Sequence, residues 1–270
     1  MAGKASGPLA LAHPPALALL CGAVLIAVAG RAAAADYVNV SGGSYASVIA
    51  GDASGGLSRV GDFAIRTMPV TRSEYLAFIG SHPQWMRGHV PATFADAGYL
   101  ADASPDAVLN PDEAARPVTQ VSWFAAQAFC EQEDARLPTW NEWEFVAAAD
   151  EARPDARGDE RWRARILSWY ARPSTSALPA AGGAANFYGV RDLHGLVWEW
   201  VDDFNALLVD ADSRSGSDAD QLKFCGAGAI NLKQRENYAI LMRVALLSSL
   251  KATDSTGNLG FRCVRPANQE

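Results

Sequence analysis

Asp192-Leu193-His194-Gly195-Leu196-Val197-Trp198-Glu199-Trp200-Val201-Asp202-Asp203 gathers two tryptophans and four acids around one glycine. Trp198 and Trp200 alternate with Glu199, the period of a short strand with one face in a core and an acidic rim in solvent. Gly195 lies between Asp192 and Glu199, where the backbone can turn sharply and set carbonyls between two carboxylates. Carboxylates with backbone oxygens between them form the hard donor set that calcium takes. Spacing alone leaves both readings open, a solvated rim or a cation loop.

Upstream of this stretch the helix signals are local. Thr71-Arg72-Ser73-Glu74 is a capping box opening a helix to about Gly80, with Tyr75, Phe78 and Ile79 on its inner face. Ser122 caps a helix from Trp123 to about Asp134, with Phe124, Ala128 and Phe129 as its apolar contacts. Thr139 and Glu142 form a second capping box, for a helix from Trp140 to about Asp150. Residues 37–66 read as short strands punctuated by glycine turns, and 81–110 as a long loop. Residues 151–165 read as charged and exposed, and 173–185 as a flexible connector. Residues 210–220 form a polar loop, and 224–229 suit a strand that another backbone approaches closely. Tyr238 to Leu247 is apolar and open to helix or strand, and Asn258 to Val264 reads as a closing strand.

Residues 1–35 have the layout of a signal peptide. Lys4 precedes an apolar run from Ala16 to Gly30, and Ala32-Ala33-Ala34-Ala35 offers a small-residue cleavage site. The run is too short to span a bilayer comfortably, and no second run of spanning length follows. Leu20 before Cys21 is not the small residue that lipid attachment asks for. The expectation is a periplasmic or secreted protein with a single domain over 36–270. The formal charge of -7 becomes about -9 once Lys4 and Arg31 are removed. An acidic chain of this kind is a poor nucleic-acid binder, because nothing offsets phosphate repulsion. Cys130, Cys225 and Cys263 remain after cleavage, an odd count that in an oxidising compartment implies one disulfide and one spare thiol.

Several separated blocks, taken in order, resemble the sulfatase-modifying-factor family, the formylglycine-generating enzymes. They are Val121-Ser122-Trp123, Phe129-Cys130, Arg136-Leu137-Pro138-Thr139, Glu142-Trp143-Glu144, Gly195 to Trp200, and Asn258-Leu259-Gly260-Phe261-Arg262-Cys263. The resemblance implies an α+β fold, a single compact domain related to C-type lectin folds and low in regular secondary structure. It implies a Cys130–Cys263 disulfide. It also implies a structural calcium held by Asp192, Gly195, Val197 and Glu199, with Asp192 standing where relatives carry Asn.

At the reaction centre the chain departs from the resemblance. The enzymes hold copper(I) on two cysteines five apart, and those positions here are Gln234 and Ala239. Neither suits a soft ion. Arg243 matches a family arginine. Cys225 stands upstream without a close second cysteine, so it reads as a buried thiol or, more sharply, as a metal or redox group. Relatives that use iron hold it on three histidines, and His82, His89 and His194 make no such set by spacing. Copper and iron are therefore not supported by these residues. The candidate groove is Cys225, Arg243, Ser248 and Ser249. Two functions stay open. One is an accessory or binding protein in extracytoplasmic metalloenzyme maturation of the copper/nitrite-reductase type, engaging a protein partner or a small ligand. The other is an oxidative enzyme acting on a peptide cysteine or on a small molecule such as a siderophore precursor. Apolar filling of the groove by Leu241 and Leu246 would favour the first, and convergent polar groups the second.

Overall fold

Local capping decides where the helices begin. In the computed structural model, which describes residues 1–3, 36–49, 57–103, 109–171, 177–207 and 238–267, α1 (Arg72–Ser81) starts from Thr71 with its capping box formed and buries Tyr75, Phe78 and Ile79. Asn110 caps the short α2 (Pro111–Ala114) and Ser122 caps α3 (Trp123–Gln132). Thr139 caps α4 (Trp140–Ala147), again with a complete box. Each box satisfies N–H donors that the first turn leaves open.

The face that α3 turns inward is shifted from the sequence expectation. Ala125, Ala126, Phe129 and Cys130 are buried, whereas Phe124 and Ala128 are half-buried. The segment expected to be exposed, 151–165, is also corrected. It leads into α5 (Glu160–Tyr170), capped by Asp159, and Trp162 and Ile166 pack with Ala156 in a cluster of their own. Arg157 is only 6% exposed; it pairs with Asp155 at 2.7 Å and donates to the Ala46 carbonyl. The density of arginines there masks a two-residue apolar face at i and i+4.

The chain separates into units 1–34 and 35–270, and the architecture described is that of the second. β1 (Tyr37–Val40), β4 (Phe63–Arg66) and β7 (Val264–Pro266) form an antiparallel sheet in the order β1-β4-β7, with Val40 opposite Phe63 and Ile65 opposite Val264. β2 (Gly43–Ala46) pairs antiparallel with β3 (Leu57–Val60). β5 (Trp198–Glu199) pairs parallel with β6 (Leu259–Gly260). No described strand exceeds four residues, and the longest described helix, α6 (Tyr238–Ser249), has 12. This is the α+β fold low in regular structure that was expected. The apolar segment 238–247 is helical.

Aromatic packing fills the centre. Phe129 of α3 stacks on Tyr75 at 5.9 Å and meets Phe78 and Phe261 edge-on at 5.3 and 5.4 Å. Beside it a disulfide joins Cys130 to Cys263, with 5.5 Å between Cα atoms and a sequence separation of 133. Among the described residues no helix is long and apolar enough to cross a membrane.

Candidate functional site

The sequence suggests an acidic rim at 199, and the structure reverses it. Glu199 has no solvent exposure, Trp200 has none, and Trp198 is the half-buried member of the three. The reason is a buried ion pair. Arg262, also unexposed, donates through Nη2 to Glu199 Oε1 at 2.7 Å and through Nε to Oε2 at 2.9 Å. Trp143 Nε1 donates to the same Oε2 at 2.9 Å. Arg262 continues to the carbonyls of Arg191 at 2.9 Å and Arg66 at 3.2 Å. One guanidinium thus joins the end of β4, the loop before Asp192, β5 and the closing segment. Arg262 lies inside a motif read for family likeness, but nothing local in the sequence marks it as the partner of Glu199.

A second guanidinium sits on the same group. Arg243 of α6 is 1% exposed, donates through Nη2 to the Glu199 carbonyl at 2.5 Å and lies 3.5 Å over the Trp143 ring. Burial pulls its pKa down to about 10, against the Glu199 carboxylate, which raises it. Its Nε is buried without a hydrogen-bond partner. Arg243 shares its helix face with the buried Ile240, Val244 and Leu247.

The described groove residues expected from sequence differ in their surroundings. Arg243 is in the interior, while Ser249 is exposed and donates to the Leu246 carbonyl at 2.6 Å. Ser248 Oγ is buried with no partner. Leu241 packs against the main core. Cys225 and Gln234 lie outside the described residues, and Ala239 is in α6.

The proposed calcium ligands retain free acceptor capacity. Asp192 (φ 60) turns its carboxylate to the backbone N–H groups of Gly182 and Gly183, at 2.7 and 3.1 Å. Gly195 adopts φ 110, a conformation that a side chain would disfavour. Among the described residues no hydrogen bond is made to the carbonyls of Gly195 and Val197, and Val197 is 1% exposed. Buried carbonyls are seldom left orphaned. Two carbonyls that stand between two carboxylates in the sequence are the oxygen donors that calcium takes. The fit has one constraint, because Glu199 already shares its charge with Arg262.

The histidines do not converge. His82 Nδ1 lies 3.1 Å from the Phe78 carbonyl and His89 Nδ1 lies 3.0 Å from that of Pro83. His194 donates through Nε2 to the Ala147 carbonyl at 2.9 Å and stands edge-on between Trp143 and Trp162. Burial lowers its pKa to about 4. Among the described residues no three His, Cys, Asp or Glu side chains gather closely enough to hold a metal.

A cleft of about 520 Å³ lies elsewhere, and sequence reasoning did not single out its residues. Arg72, Asp102, Arg116, Gln120 and Asn258 supply its polar wall. Arg72 and Arg116 are brought side by side by backbone pairing: Arg72 N–H donates to the Arg116 carbonyl at 2.8 Å, and Thr71 bridges Pro117. Gln120, at φ 58, fixes the opposite edge by donating from Nε2 to Asp102 at 2.9 Å and accepting from the Asp102 N–H at 2.8 Å. The only sequence signal was a pair of arginines, each beside an element boundary.

Comparison with known proteins now places the chain. The model of the sulfatase-modifying factor enzyme 1-like domain matches residues 24–267. A formylglycine-generating enzyme of Streptomyces coelicolor is 33% identical over 173 residues, covering 56% of this chain and 53% of that protein. A hercynine oxygenase of Mycolicibacterium thermoresistibile is 32% identical over 167 residues, covering 52% and 35% respectively. An inactive C-alpha-formylglycine-generating enzyme 2 of Bos taurus is 29% identical over 165 residues, covering 57% and 51%. The match thus spans about half, or less, of the length of these relatives. Matched over residues 24–267, the chain belongs to the family of sulfatase-modifying factor enzyme 1-like domains, which contains oxygenases and inactive members alike.

Proposed function

We propose that this chain is an exported binding member of its family, an accessory protein for extracytoplasmic maturation of a copper enzyme of the nitrite-reductase kind. In this reading it does not generate formylglycine by copper chemistry. The cysteine inventory carries the reading. Of four cysteines, Cys130 and Cys263 are joined to each other and Cys21 lies in the apolar leader, which leaves Cys225 alone. Copper(I) held between two thiolates needs a second. The packing of Arg243 on Trp143, with Leu241 against the core, supports the same conclusion, because the segment that carries the enzymes' chemistry is here partly filled. That a relative bears the name of an inactive enzyme is consistent with it.

The test uses the chain without its first 35 residues, loaded with copper(I) and incubated with oxygen and a cysteine-containing peptide. No aldehyde should form, as judged by an aminooxy probe, and no stoichiometric copper should remain after desalting. Aldehyde that disappears in Cys225→Ser would overturn the reading.

In the same reading the 192–199 loop is a structural calcium clip. Asp192 and Glu199 would supply carboxylate oxygens, and Gly195 and Val197 their carbonyls. Calcium there stiffens the loop and takes no part in chemistry. Chelator should lower the melting temperature of the wild type and leave Asp192→Ala unchanged. Equal melting of the wild type with and without chelator would end the calcium assignment.

A further inference from the structure

We propose that the 520 Å³ cleft binds its ligand through a carboxylate, with the guanidiniums of Arg72 and Arg116 as the counter-charge. This rests on the binding reading above. The argument begins with unmet charge. Arg66, Arg136 and Arg262 each have a carboxylate oxygen at 2.7 Å or less. Among the described residues Arg72 and Arg116 have none. Arg72 Nη2 reaches a neutral acceptor, the Asp102 carbonyl, at 3.3 Å, and no described residue pairs with the Arg116 side chain. Asp102 is the one acid among the described residues that line the cleft, and its carboxylate is held by Gln120 rather than by either arginine. The wall therefore carries one positive charge in excess, on a chain whose net charge is -7.

The chemistry of the walls selects the ligand. Guanidinium groups recognise carboxylates through paired N–H donors in a planar fork. A surplus of one charge matches a monoanion better than a phosphate dianion. Leu100, Val118 and Leu178 supply an apolar wall beside the arginines, which suits a carboxylate on an apolar body. The volume lies in the range of small-molecule sites. Such a group can come from a free acid or from the end of a peptide, and the probes separate the two.

Hexanoate and N-acetyl-Ala-Leu-Leu, the latter as acid and as C-terminal amide, are titrated calorimetrically into the chain without its first 35 residues. Inorganic phosphate serves as the control. At least one carboxylate should bind, and the tighter of the two identifies the source. The amide, Arg72→Gln and Arg116→Gln should each weaken binding by about tenfold or more, equivalent to ~1.4 kcal/mol. Arg116→Lys should recover part of the loss. Circular dichroism and the intact disulfide confirm folding of each variant. Equal binding of acid and amide, indifference to both glutamine variants, tighter binding of phosphate, or no binding at millimolar concentration would each overturn the proposal. The peptide-aldehyde assay is independent. If it stays negative while no carboxylate binds, the ligand class fails and the binding reading stands. If aldehyde forms while carboxylates bind, the binding reading fails and the cleft chemistry stands.

Discussion

Glu199→Gln isolates a fully buried ion pair. The amide keeps the shape of the side chain and removes its charge, leaving Arg262 buried with donors facing a neutral group that is itself half donor. Arg262 keeps its bonds to the Arg66 and Arg191 carbonyls, so its desolvation is only partly offset. Removing one member of a buried pair costs about 3–5 kcal/mol. For a domain of this size each kcal/mol moves the melting temperature by about 2–4 °C, so a fall of roughly 6–20 °C follows.

Calcium complicates the assignment, because Glu199 also belongs to the proposed clip. The melts are therefore run with and without chelator. If Arg262 is what Glu199 serves, Glu199→Gln remains about 3 kcal/mol or more below the wild type in chelator. The double variant Glu199→Leu/Arg262→Met should recover most of the loss, since an apolar pair of similar volume is often neutral against a buried ion pair. A mutant cycle then gives the coupling directly. Glu199→Gln lying within ~1 kcal/mol of wild type in chelator would refute the reasoning, because the penalty expected of a broken buried pair would be missing.

Reduction of the Cys130–Cys263 bridge should lower stability by about 2–5 kcal/mol, and alkylation with intact mass should count one free thiol before reduction and three after it in the cleaved chain. Gly260→Ala would bring a Cβ to 2.6 Å from the Val118 carbonyl; urea unfolding should show a loss of about 1–3 kcal/mol, as for other overpacked sites. Asp150, held down to about 2 first by its bond to Arg153, contributes stability present above the ordinary carboxylate pKa and lost as pH falls through 2; carboxyl NMR titration of the folded protein should place its midpoint well below that of a free aspartate. Asp192→Asn should weaken calcium binding by at least tenfold in calorimetry, because Asp192 brings a carboxylate that no arginine contacts.

The elements legible in the sequence were those whose causes are local. Thr71 with Glu74, and Thr139 with Glu142, announce helices because cap and acid are three residues apart and need nothing else. The inner face of α1 follows from that start. For α3 the same logic set the start at Ser122 but not the phase, because Cys130 must face Cys263, and that distant bond selects Ala126 over Phe124 for the interior. Within 151–165, Ala156, Arg157 and Trp162 were misread as exposed for a related reason. The arginines there look solvated, yet Arg157 is drawn inward by Asp155, the Ala46 carbonyl and Glu144, which lies 3.6 Å away. The cleft was not legible at all, since Arg72 and Arg116 become neighbours only when the chain before α1 pairs with the chain around Pro117.

The same dependence on distant partners explains the acidic stretch at 192–203. An alternation of Trp, Glu and Trp does not say which face is inside, because a carboxylate is buried whenever a guanidinium is buried with it. Arg262 settles that, and Arg243 on the Glu199 carbonyl adds a second positive group to the same residue. A carboxylate paired with one guanidinium, on a residue whose backbone carbonyl accepts from another, has little attraction left for a dication. The calcium proposed for this clip would therefore draw mainly on Asp192 and on the Gly195 and Val197 carbonyls, with Glu199 as the shared ligand.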